Sequence, residues 1–233
     1  MKRWLPTIVF VAAVAGVLAA GPIAQWIDYH RFADTRPFAG IANAGDVLSN
    51  IAFALVAAWG LALSRKRALE PGYRLFLVSL ALTAVGSAWY HLAPDDERLV
   101  FDRIPIALGC AGLLAGVRAE THGGNPRWVL PALAVVAIAS VLWWWGTRDL
   151  RPYLVLQGAP LLMIPLWQAL AGSPKRERIG FALAIAIYIL AKAVELRDHA
   201  VFEAIGVMSG HTLKHLLAAV AAGVITATLV RRA

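Results

Sequence analysis

Three histidines, a serine and an aspartate stand out in a chain whose other residues are mostly apolar. Ser87 and His91 are four residues apart in "GSAWYH", His211 and His215 are four apart in "SGHTLKH", and Asp102 follows His91 by eleven residues. A spacing of four puts two side chains on one face of a helix. Three neutral imidazoles leave one position of a tetrahedral zinc ion open to water, the arrangement of catalytic rather than structural sites. Zinc held in this way lowers the pKa of its water to about 7 and polarises a carbonyl group. A neighbouring carboxylate can take and return a proton, and a hydroxyl can hydrogen-bond a developing oxyanion. The set therefore reads as a hydrolytic zinc site, with His91, His211 and His215 as ligands and Asp102 and Ser87 as the catalytic groups. A lone HxxxH pair can equally join helices by hydrogen bonds or ligate a haem. The company of His91, Ser87 and Asp102 is what favours zinc.

A membrane must position these residues. Of 233 residues, 60% are hydrophobic and 15% charged, with mean hydropathy +0.66, whereas an ordinary soluble domain is roughly 25% charged. Eight apolar runs have spanning length: 4–26, 46–64, 73–92, 103–118, 127–146, 152–171, 178–197 and 209–230. Breakers separate them, among them Pro71-Gly72, Gly123-Gly124-Asn125-Pro126 and Gly172-Ser173-Pro174. The expected fold is an all-α, polytopic membrane helix bundle: residues 1–27 as an N-terminal helix or signal anchor, and 28–233 as a seven-helix domain. Lys2-Arg3, an apolar core and Ala19-Ala20-Gly21 also resemble a signal peptide, but the apolar length favours a retained helix.

Net charge +8 and pI ≈ 10.1 would suit nucleic acid, yet no basic helix or aromatic-basic interleaving supports that partner. The cations sit instead in loops. With the N-terminus inside, inner segments carry thirteen Lys or Arg and outer segments seven, Arg103 among the latter. Both termini are thus expected in the cytoplasm. Compact loops and this bias suggest a bacterial cytoplasmic membrane. Ser87, His91, Asp102, His211 and His215 then share one depth at the outer face, where the aromatic run Trp143-Trp144-Trp145 is also expected. Ionisable groups at membrane depth are costly and count as functional by default. Cys110 has no partner, which excludes a disulfide framework.

At these residues the chain resembles the alkaline ceramidase family, part of a superfamily of seven-helix membrane hydrolases that includes the adiponectin and progestin receptors. The resemblance rests on "SAWYH", Asp102 and "GHTLKH", with "GDVLSN" near the family's first helix and "ELRDHAVF" near the end of its penultimate one. It implies zinc on His91, His211 and His215, proton transfer by Asp102, assistance by Ser87, and hydrolysis of a lipid amide of the ceramide type to a fatty acid and an amine. The N-terminal helix is extra to the family's seven. The family's acidic calcium segment does not align cleanly with "DYHRFADTRPFAGIANAGD", although Asp28, Asp34, Asn43 and Asp46 offer oxygen ligands for calcium. Asp34 can instead pair with Arg36 or Arg31.

Asp46 can also cap the second span, and Ser49 and Asn50 can cap it or bond to a neighbouring helix. Glu195 and Asp198 lie near the outer end of the seventh run. There they can orient a histidine or pair with Lys192 or Arg197. His30, His122 and His199 read as loop residues, and Asp95-Asp96-Glu97 as a solvated turn. A zinc-containing lipid receptor without turnover is the alternative function, and a haem protein a third.

Overall fold

In lipid, helices gain little from burying apolar side chains against one another. Close packing of small residues and interhelical hydrogen bonds hold them together instead. The computed structural model describes residues 4–65 and 69–230. Lys2, Arg3, Lys66, Arg67, Arg231 and Arg232, which weigh in the expected orientation, lie outside the described residues. The chain folds as α1 (Leu5–Ala19), α2 (Ala44–Leu48), α3 (Ile51–Ser64), α4 (Pro71–Leu92), α5 (Asp96–His122), α6 (Val129–Thr147), α7 (Arg151–Leu170), α8 (Lys175–Glu195), α9 (Asp198–Ile205) and α10 (Gly210–Val230). The described residues contain no strand, only the isolated bridges Ala24–Asp149 and Phe38–Ile41.

The bundle is that of a multi-pass membrane protein, with fewer spans than the eight expected. Among the described residues six segments are long and apolar enough to cross: Ala44–Ser64, which joins α2 to α3, then α4, α5, α6, Arg151–Ala171 and α10. Helices α8 and α9 meet at 85° and make a seventh span if taken together. The N-terminal run departs most from expectation. Helix α1 has 15 residues, short of the ~20 that a bilayer core requires. It stops because Gly21 turns into the left-handed region at φ 76° and Pro22 comes next, a pairing that cannot continue a helix.

Two glycines set the geometry of the site. A Cβ on Gly86 of α4 would lie 2.1 Å from the Phe101 carbonyl oxygen of α5, so only glycine allows the approach that sets Ser87 beside Asp102. A Cβ on Gly210 would lie 2.2 Å from the Val194 carbonyl oxygen, so glycine seats the start of α10 against the end of α8. Asp95 caps α5, accepting a hydrogen bond from the Arg98 amide at 2.6 Å, and thereby fixes the turn that carries Asp102.

The end of α1 is fastened to the start of α7 by polar contacts. Asp149 accepts from the Ile23 amide at 3.2 Å and pairs with Arg151 at 2.8 Å. Arg151 also donates to the Leu18 carbonyl at 3.2 Å. The hydrogen-bonded guanidinium holds the Asp149 carboxyl below its usual range, and Arg36 does the same for Asp34. A depressed folded-state pKa contributes stability that is present above the unfolded value, near 3.8, and lost as pH falls through the folded one. Thermal unfolding in detergent should therefore show a drop in midpoint from pH 5 to pH 3 that is smaller in Asp149→Asn. An equal drop in both proteins would remove this ion pair as a cause.

Candidate metal centre and its cavity

Helix α4 ends on His91, and the first turns of α10 carry His211 and His215. Helices α4 and α10 both pack against α2 and α3, which brings the three rings together. One ligand nitrogen from each lies within 4.8 Å of the others, and the residues are only 1%, 5% and 2% exposed. Tetrahedral zinc with Zn–N of about 2.0–2.1 Å sets its nitrogens roughly 3.3 Å apart, which falls within that limit. Among the described residues this is the one grouping of three or more His, Cys, Asp or Glu able to hold a metal ion.

The surroundings of His215 and His91 fit a metal, whereas on His211 the Lys214 ammonium takes the ring lone pair that a metal would need and must release it first. The Ser49 hydroxyl donates its single hydrogen to the Asp46 carbonyl at 3.0 Å. It therefore can only accept from His215 Nδ1, 2.8 Å away, which places the ring proton on Nδ1 and leaves the Nε2 lone pair free. His91 Nδ1 is buried without a hydrogen-bond partner among the described residues, a state that buried polar atoms rarely adopt. The His91 carbonyl accepts from Asn43 Nδ2 at 2.8 Å. Asn43 is held in the left-handed region at φ 48°, which Asn tolerates better than most residues. His211 donates its backbone amide to Asp198 at 2.7 Å, and its Nε2 accepts from Lys214 at 3.1 Å. Lys214 in turn donates to Glu195 at 2.9 Å.

Ser87 and Asp102 are buried, 2% and 7% exposed, with the hydroxyl facing the carboxylate. Both line a cavity of about 220 Å³ that His215 also borders. One end of this cavity is apolar, walled by Phe76, Leu80, Ile164 and Phe181. The other end gathers Asp102, Arg103, Lys192, Glu195 and Lys214 with His215. An arrangement of this kind can hold an alkyl chain with a polar junction at the metal centre.

Other expected groups do not converge. Asp28 pairs with Arg31 at 3.1 Å, and Asp34 with Arg36 at 2.7 Å. Asn43 is engaged with His91. Asp46 neither caps a helix nor faces the other three, because it accepts from the Thr212 hydroxyl at 2.6 Å within a buried contact between α2 and α10. The four residues offered for calcium are thus separately committed. Asp198 does not orient a histidine ring. Its two oxygens take the backbone amides of His211 and of Ala33, the latter at 2.8 Å. Glu195 takes the lysine partners, Lys192 as well as Lys214. Ser49 bonds across to α10, and Asn50 donates to the Asp46 carbonyl at 2.8 Å.

Asp96 is not a solvated turn residue. It accepts from Gln25 and His30, each at 3.1 Å, and pairs with Arg148. Trp144, expected at an interface, is fully buried, while Trp143 and Trp145 are about half exposed. The sequence also gives little notice of residues 20–43, which cross over the centre. Phe32 sets its ring 4.8 Å from that of His91 and 4.4 Å from that of His211. Its only signal is a buried-type side chain amid the polar stretch "DYHRFADTR". No family model matches the chain, and neither the curated proteins nor the solved structures contain a match.

Proposed function

We propose that this membrane protein is a zinc-dependent hydrolase that cleaves the amide bond of a lipid, as its resemblance to the alkaline ceramidases implies. The observation that carries the reading is the cluster of His91, His211 and His215, of which His215 borders the largely apolar cavity that Asp102 and Ser87 also line. His91, His211 and His215 would hold the metal. When bound, zinc supplies activation of a water molecule and polarisation of the amide carbonyl.

The protein's own groups do the rest. The apolar wall around Phe76, Leu80 and Phe181 holds the acyl chain and excludes water from it. Asp102 accepts the proton of the attacking water and returns it to the leaving amine. Ser87 donates a hydrogen bond to the carbonyl oxygen as negative charge builds there. Glu195 positions Lys214 beside His211, which keeps the cation fixed at the same end of the cavity. The excess of cations in the opposite loops favours the outer face of the membrane for this end.

Fatty-acid release from a panel of N-acyl sphingoid bases and simpler N-acyl amines, measured on zinc-loaded protein in detergent, tests the reading. Release should stop after chelation and return on addition of zinc. No release from any lipid amide by protein that retains zinc would overturn it.

A further inference from the structure

Arg103 comes directly after Asp102 in α5 and is only 3% exposed, yet no carboxylate among the described residues lies within ion-pair distance of it. Its guanidinium stacks over Trp144 at 3.9 Å, with Tyr29 and Tyr153 each at 5.2 Å. One nitrogen donates to the neutral Gln25 side-chain oxygen at 2.6 Å. A second, NH1, is buried with no partner, and the residue lines the same cavity as Asp102 and Ser87.

A buried cation needs a counter-charge as well as hydrogen bonds, and the aromatic faces supply only part of that attraction. The acids in the cavity are otherwise engaged. Glu195 is shared between Lys192 and Lys214, and Asp102 faces Ser87. Three cations thus stand against two carboxylates among the cavity's lining residues, and Arg103, which shares the attraction of Asp102 with Lys214, has no ion pair of its own among the described residues.

We propose that Arg103 is a binding point for an anionic group on the ligand, so the lipid amide taken here carries a carboxylate or a phosphate close to the amide. The inference rests on the hydrolase reading for the identity of the amide, but the anion site stands on Arg103 itself. The guanidinium fork suits either anion, because both present paired oxygens. Asp102 and Arg103 line the same cavity of about 220 Å³, so an anion held by Arg103 and an amide held at Asp102 belong to one bound molecule. N-acyl amino acids have that shape, as do phosphorylated N-acyl ethanolamines.

Binding of three probes to the zinc-loaded protein in detergent decides the matter: N-oleoylglycine, N-oleoylethanolamine phosphate and the neutral N-oleoylethanolamine. Wild type should bind at least one anionic probe about tenfold more tightly than the neutral one, the scale of a charge-assisted hydrogen bond. Whichever anion is preferred identifies the source. Arg103→Gln should erase the preference and Arg103→Lys should keep part of it. Because zinc remains in the Arg103 variants, attraction of a carboxylate to the metal would survive Arg103→Gln and would overturn the proposal. Equal binding of neutral and anionic probes by wild type would overturn it without any variant. Fatty-acid release from the same samples separates the two readings. An anionic preference without release removes only the hydrolase, and release from the neutral probe without anionic preference removes only the anion site.

Discussion

Detergent-purified protein should contain about one zinc ion per chain, and His91→Ala and His215→Ala should each lose it. The reason lies in a set of three donors: removing one imidazole leaves two, too few for the three-ligand arrangement of catalytic zinc sites. Ser49→Ala removes no donor but takes away the acceptor of His215 Nδ1. It should weaken zinc affinity by about 10–100-fold, the usual effect of losing such a supporting partner. His30→Ala serves as the control. His30 is engaged with Tyr90 at 2.8 Å and with Asp96, so its loss should leave the metal content unchanged. Zinc retained by both alanine variants of the cluster would show that the three rings meet for packing alone.

Asp102→Asn should keep zinc while lowering lipid-amide hydrolysis by about 10²–10⁴-fold, the contribution of a positioned acid–base group. The substitution preserves shape and the contact with Ser87 and removes only the capacity to take up and return a proton. Asp102 is not one of the clustered ligands, so metal content and rate should separate in this variant. Full hydrolytic rate with metal retained would exclude Asp102 from proton transfer. Loss of both together would mean that the carboxylate supports the metal site instead.

The meeting of the three histidines is legible in the sequence because a bilayer supplies the missing dimension. Helical spacing puts Ser87 with His91 and His211 with His215, and membrane depth then places all of them at one level. What depth cannot show is which way a residue turns within its level. Arg103 reads as one more loop cation, and only the packing of α5 against α6 and α7 reveals it buried over Trp144. Asp96 looks like part of an exposed acidic turn until residues 20–43 fold across it and supply Gln25 and His30. The end of α1 is misjudged for a simpler reason. Apolar residues continue past Gly21-Pro22, but backbone geometry stops the helix there however apolar the next residues are. Asp198 has the right neighbourhood and a different task, since its oxygens hold backbone amides rather than a ring.

Two of the three clustered histidines belong to α10, and the third lies 120 residues earlier in α4. During synthesis His91 reaches the bilayer long before its partners exist, and α10 leaves the ribosome after every other helix of the bundle. A metal ion taken up by this cluster can therefore be captured only after insertion of α10. A chain interrupted before that helix would carry Asp102, Ser87 and most of the apolar cavity wall yet lack two of the three clustered imidazoles. Metal content would then report how many chains in a preparation carry α10 in its place in the bundle.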